Sequence, residues 1–189
     1  MALTPLLWDS ISHVVVAARK AMDYLQDQAG KIAKANKGII WWTPLGFPVL
    51  QDRKKIESRQ VYTELAGVCR ILVGEATGKM DVLKNRLAVA PNFVHSLDAC
   101  HLMLTCNLAV DYGVTDFAFI HDDYGTHAAD TDTLHQAIRE SFLYLYEEND
   151  PLADFKIFNE DNSGVILSDP PVAGGLNLGQ VLDSKYFFG

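Results

Sequence analysis

Phe117-Ala118-Phe119-Ile120-His121-Asp122-Asp123-Tyr124-Gly125-Thr126 sets two adjacent carboxylates where a short apolar run meets a turn. The run Phe117 to Ile120 is aromatic and β-branched, which predicts a short buried strand. Gly125, just beyond the acids, offers the backbone freedom of a hairpin or bulge. Strand side chains alternate, so Asp122 and Asp123 are expected to point to opposite sides. One acid is then a candidate ligand for a divalent metal and the other a neighbour or a solvated turn residue. Taken alone, an Asp-Asp pair on a loop reads first as an exposed turn.

Outward from this stretch the chain reads as α+β, mainly helical with β-hairpins. Apolar positions at Ile11, Val14, Val15, Ala18, Met22, Leu25, Ala29 and Ile32 predict a long amphipathic helix over about 9–35, capped by Asp9 or Ser10. Two strand-like runs, Ile39 to Thr43 and Phe47 to Gln51, flank Pro44-Leu45-Gly46 and predict a hairpin over 39–51. The β-forming region from Ile56 to Val73, broken at Ala66-Gly67, predicts a two-stranded ribbon over about 55–78. Lys79 to Leu87 reads as a short helix, and Pro91-Asn92 opens a second one reaching Tyr112 and closed by Gly113. On that second helix His95 and Asp98 share a face. A further helix from Asp130 to Glu148 turns Leu134, Ile138, Phe142 and Leu145 inward. Gly164, Pro170-Pro171 and Gly174-Gly175 mark an irregular stretch before a terminal helix near Leu178 to Asp183. No internal repeat or domain boundary stands out.

At 189 residues, 49% hydrophobic and 21% charged, the chain is long enough for one core. No apolar run approaches the roughly eighteen residues of a membrane span, and Met1 to Leu7 lack the basic start and cleavage signal of a secretory peptide. The expectation is a cytoplasmic protein with no membrane partner. Cys69, Cys100 and Cys106 form no C-x-x-C pair, which argues against a disulfide framework or a zinc knuckle. A net charge of -8 argues against strong nucleic-acid binding by this chain alone, because such affinity comes from neutralising phosphates. Local basic runs remain at Arg53, Lys54, Lys55 and Arg59 and at Lys79, Lys84 and Arg86.

Four segments together resemble the phage-type single-subunit DNA-directed RNA polymerases. "FAFIHDDYGTHAAD" looks like that family's palm motif C, "WTPLGFPVLQ" at 42–51 like its aromatic-Thr-Pro-x-Gly-Phe-Pro-Val segment, "APNFVHSLDACHL" at 90–102 like its preceding helix, and "LDSKYFFG" at 182–189 like its C-terminal foot. The resemblance runs from the Trp8 region to Gly189 in the family's order. It implies a single C-terminal segment, 1–189, of a polymerase palm and fingers, with 90–148 around motif C and 150–189 as the foot. It makes Asp122 the catalytic, metal-binding carboxylate. His121, Asp123 and His95 then support the active site, Asp123 being a departure, since the family more often has serine there. The ribbon corresponds to the specificity hairpin that enters the promoter major groove. Arg59, Arg70 and, less closely, Gln60 correspond to its promoter-binding positions. Side chains of these types can pair with guanine or adenine edges.

Nucleotidyl transfer of this kind uses two Mg2+ ions held by carboxylates from different strands. The family's other aspartate lies in motif A, upstream, and its fingers helix also precedes everything present in these residues. The resemblance therefore implies that the segment is inactive alone and completes a palm supplied by a larger partner chain carrying motif A and the fingers. Met1 suggests a separate polypeptide, although an expressed fragment has the same appearance. The partners implied are template and promoter DNA, nascent RNA and NTPs, in a bacterial host's cytoplasm if the gene is phage-borne. Three alternatives compete: a non-catalytic palm remnant acting in assembly or promoter binding, a piece of the related DNA-synthesising family, and a hydrolase using His121, Asp122 and His127 as ligands.

Overall fold

The computed structural model describes residue 10, residues 13–64 and residues 69–187. Helix α1 (Val16–Lys34) leads into hairpin β1 (Ile39–Trp42) and β2 (Pro48–Gln51), then the ribbon β3 (Lys54–Thr63) and β4 (Cys69–Met80), then helix α2 (Val82–Asp111). A small hairpin of β5 (Ala118–Ile120) and β6 (Asp123–Gly125) is followed by a 3-10 turn at Ala128–Asp130, α3 (Thr131–Glu147), α4 (Pro151–Ser163) and the one-turn α5 (Gln180–Asp183). The fold is α+β. Among the described residues every sheet is a pair of consecutive antiparallel strands. Asp9, Ile11 and the Ala66-Gly67 break lie outside the described residues, as do Phe188 and Gly189 of the aromatic tail.

Helix α2 corrects the sequence reading, which splits it near Pro91. It is continuous for 30 residues with Pro91 inside it. The Asp81 carboxylate caps its start by accepting from Lys84 N at 3.0 Å. Proline at 91 removes the N–H that would bond the Leu87 carbonyl, but its fixed φ is itself helical. Burial of Val89, Ala90 and Phe93 around that gap holds the helix together. α2 is also long and apolar enough to cross a membrane by length and composition, a character that core helices share, and here it forms the spine of the fold.

Two apolar clusters flank that spine. One joins Leu25, Ala29 and Ile32 of α1 to Trp41 of β1, Phe93 and Leu97 of α2 and Phe155 of α4. Trp41 lies 5.8 Å from Phe93 and 5.9 Å from Phe155, ring centre to ring centre. The other joins Ala109 of α2 and Val114 to Leu134, Ala137 and Ile138 of α3, with Phe117 and Tyr124 packed on it. Leu134, Ile138 and Leu145 are buried as their spacing predicts. Phe142 is only half-buried and faces Tyr146 and Phe187, each at 4.8 Å.

The Pro44-Leu45-Gly46 turn follows from its residues. Gly46 N donates to Thr43 O at 2.7 Å, Thr43 N donates to Phe47 O at 3.0 Å, and Gly46 takes φ 80, the left-handed value this loop needs. Polar side chains then seat the hairpin: Gln51 Nε2 donates to Asn85 O at 2.8 Å and Trp41 Nε1 to Ser96 Oγ at 2.9 Å. Helix α4, a stretch to which the sequence reading assigns no element, starts at Pro151 under an Asp150 cap. Its buried Asn159 accepts from Ile40 N at 3.0 Å and donates to Ile40 O at 2.7 Å, closing one edge of β1.

Candidate active site and nucleic-acid interface

The acidic stretch forms a hairpin of three pairs, Ala118 with Gly125, Phe119 with Tyr124 and Ile120 with Asp123. His121 and Asp122 are its two loop residues, and His121 takes φ 54, left-handed as tight hairpin turns require at the first loop position. Asp122 thus sits at the tip of the turn, exposed, while Asp123 opens β6. The expected alternation of the two acids does not apply, because the first is in the loop and only the second is in a strand. The expected burial of the strand is also corrected: Ile120 is 66% exposed, since this hairpin covers only one face. Gly125 keeps a negative φ, so its role is close approach rather than backbone freedom. A Cβ at Gly125 would lie 2.9 Å from Ala118 O.

Across from the turn, α2 presents His95 and Asp98, both exposed. Partial burial, and after it the charge of Asp122, push the Asp98 carboxyl above the usual carboxylate range, opposed by His95 and His101. The structure therefore brings Asp122, Asp98 and His95 into one electrostatic neighbourhood. Behind them lies a buried polar set. His101 Nε2 reaches Ile138 O at 2.8 Å and its Nδ1 reaches the Tyr124 hydroxyl at 3.2 Å, while Thr105 and Ser141 meet at 2.7 Å. Burial holds His101 below the ordinary histidine value. Burial, Asp98 and Asp122 together push the Tyr124 phenol up to about 12.

Sequence reasoning gave His101 no role and left Asp98 and Tyr124 unassigned. The available signal was the spacing His95, Asp98, His101, which on one helix stacks three titratable groups toward the hairpin. His127 stands at the base of the hairpin, 3.7 Å from Asp116, at the opposite end from His121 and Asp122. His127 thus stands apart from the other two ligands of the hydrolase alternative, and no group of three or more His, Cys, Asp or Glu able to hold a metal occurs among the described residues.

The ribbon is rooted firmly and projects freely. Asn36, in the left-handed region at φ 58, accepts from Met80 N at 2.8 Å and donates to Gly78 O at 3.1 Å. At the other strand's root, Asp81 N and Asn85 Nδ2 donate to Arg53 O at 2.8 and 2.9 Å. Beyond these anchors both faces are open, with Ile56, Tyr62, Leu72 and Val73 exposed. Cross-strand partners share a face, so the pairs Gln60 with Leu72 and Tyr62 with Arg70 lie on one side, and Arg59 with Val73 on the other. Arg70 sits 5.5 Å from the Tyr62 ring centre. The three predicted promoter-reading residues do not form one surface: Gln60 and Arg70 are together, and Arg59 is apart.

A family model described as DNA-dependent RNA polymerase matches residues 1–163. The chain belongs to that family. Similar proteins include DNA-directed RNA polymerase 3B, chloroplastic, of Nicotiana tabacum, 38% identical over 95% of this chain and 18% of its own length. The DNA-directed RNA polymerases of Enterobacteria phages K11 and T3 are 35% and 37% identical over 98% of this chain and 23% of theirs. This chain thus spans less than a quarter of the polymerases it matches, and it is of the phage type. Polymerases of this family work with Mg2+. Asp122 offers an exposed carboxylate, the kind of oxygen donor that ion takes, while the Asp98 carboxyl near it is raised first by burial and then by the charge of Asp122.

Proposed function

We propose that this chain is the C-terminal palm segment of a phage-type DNA-directed RNA polymerase and that Asp122 is one of the two carboxylates holding its catalytic Mg2+. The observation that carries this reading is the placement of Asp122 at the exposed tip of a turn, beside Asp98 and His95, in a chain of this family. When bound, Mg2+ at such a carboxylate favours ionisation of the RNA 3′-hydroxyl and offsets charge on the NTP phosphates. The left-handed backbone of His121 carries Asp122 to the apex, and the His121 and His95 side chains flank the growing end of the RNA. Asp123, paired in the ladder with Ile120, takes no metal.

The second carboxylate and the fingers belong to the larger portion of such a polymerase that this chain does not span, in keeping with the small share of the relatives' length that it covers. An open apolar groove of about 850 Å3, lined by Met22, Leu25, Phe93, Leu97, Phe142 and Tyr146, also fits a fold that is completed by further polymerase. The β3–β4 ribbon reads promoter DNA through Gln60 and Arg70 on one face and Arg59 on the other.

In polymerase reconstituted with its larger portion, Asp122→Asn is expected to lower RNA synthesis below about one hundredth of the parent, as loss of a metal-holding carboxylate should. Asp123→Asn is expected to stay within about threefold of the parent. Full activity in Asp122→Asn would instead favour a non-catalytic remnant that serves assembly or promoter binding.

A further inference from the structure

We propose that Tyr124 and His101 are positioning residues for the Asp122 turn, and that their hydrogen bond fixes where that carboxylate stands. The inference rests on the reading of Asp122 as a metal ligand. The hairpin that carries Asp122 has only three residue pairs and an exposed outer face. A two-stranded sheet of that size does not hold its own geometry in water. Its tip turns through a left-handed His121, which costs energy for a residue bearing a Cβ. Something outside the ladder must set its position.

The side chain placed to do so is Tyr124, two residues beyond Asp122. Its ring lies 5.6 Å from Phe119 and 5.8 Å from His101, centre to centre, which fixes the ring plane. Its hydroxyl meets His101 Nδ1 at 3.2 Å and also bonds the Thr105 side chain. The Ile138 carbonyl can only accept, so the His101 Nε2 at 2.8 Å carries the hydrogen. In the neutral ring Nδ1 is then an acceptor, and the Tyr124 hydroxyl donates to it. Ser141 Oγ donates to the same Ile138 carbonyl at 3.0 Å and bonds Thr105 at 2.7 Å. The imidazole is therefore fixed from both helices, by its own place on α2 and by the α3 carbonyl, and it presents one lone pair to the hairpin. Removing the Tyr124 hydroxyl leaves the ring packing in place but frees the turn to shift sideways. A shift of that kind at a reacting centre lowers the chemical rate more than it weakens substrate binding.

The test compares Tyr124→Phe, His101→Gln and the double variant in the reconstituted polymerase, with Asp122→Asn alongside. Tyr124→Phe is expected to lower kcat about tenfold with the NTP KM and the melting temperature nearly unchanged. It is also expected to weaken Mn2+ binding, followed by electron paramagnetic resonance without NTPs, by about threefold. His101→Gln keeps a donor for Ile138 but lacks the acceptor at Nδ1, so the double variant should be little worse than Tyr124→Phe alone. Tyr124→Phe with unaltered kcat and Mn2+ affinity, or single effects that multiply in the double variant, would overturn the positioning role. If Asp122→Asn is inactive in the same assay, only the positioning role falls; if it is active, the metal assignment falls as well.

Discussion

At the scale of single residues, the site depends on how its titratable groups are surrounded. His101 is buried as a neutral ring, and that burial holds its pKa below the ordinary value. In an unfolded chain the same ring protonates near pH ~6.5. On acidification the unfolded form therefore binds the proton first. The stability His101 contributes is complete above about pH 6.5 and is lost as the pH falls through its lower folded-state value. Thermal melts from pH 7.5 downward should show the parent losing more stability over that window than His101→Gln, and parallel curves would contradict this. Asp98 behaves in the opposite sense, because its carboxyl is raised by partial burial and by Asp122. Asp122→Asn should lower the Asp98 pKa, followed by carbon NMR of its carboxyl; an unchanged value would show that the two acids do not sense each other. Asp122 was readable in the sequence as a turn carboxylate, but Tyr124 and His101 were not. Their meeting depends on a hairpin folding back onto α2 and α3, which no local spacing records.

At the scale of elements, the ribbon shows what periodicity can and cannot establish. The β-forming composition of Ile56 to Val73 located the two strands, and the register then divided the candidate residues between faces. Which residues share a face depends on that pairing, and the sequence alone left it open. Gln60→Ala and Arg70→Ala should each cost promoter affinity, by about 1–3 kcal/mol where a base contact is lost, and should be non-additive with each other. Arg59→Ala should add independently to Arg70→Ala. Coupling between Arg59 and Arg70 in a double-mutant cycle would contradict the face assignment. Pro91 teaches the complementary lesson. A proline at a helix start and one inside a helix look alike in sequence, and only the buried residues around it, Val89, Ala90 and Phe93, decide between them. The Pro44-Leu45-Gly46 turn was legible because its residues determine their own backbone, whereas α4 was missed among the turn-forming residues that surround it.

At the scale of the whole molecule, a net charge of -8 sets a limit on what the chain does by itself. The basic ribbon root and the acidic remainder leave little net attraction for phosphates, so DNA binding by the isolated chain should be weak and should vanish by about 0.2 M salt. Tight, salt-resistant binding by the chain alone would contradict the need for a larger portion. The open groove along α1, α2 and α3 and the small, exposed β5–β6 hairpin fit the proposed reading of this chain as part of a larger polymerase. On that reading Asp122 stands at a bound metal. Replacing Mg2+ with Fe2+ in the reconstituted polymerase and generating hydroxyl radicals with ascorbate tests this directly, because the backbone is cut only close to the iron. Cleavage of this chain is expected within the β5–β6 hairpin and near His95 and Asp98 on α2, suppressed by excess Mg2+ and absent in Asp122→Asn. Cleavage elsewhere in the chain, or cleavage at the hairpin that persists in Asp122→Asn, would contradict it.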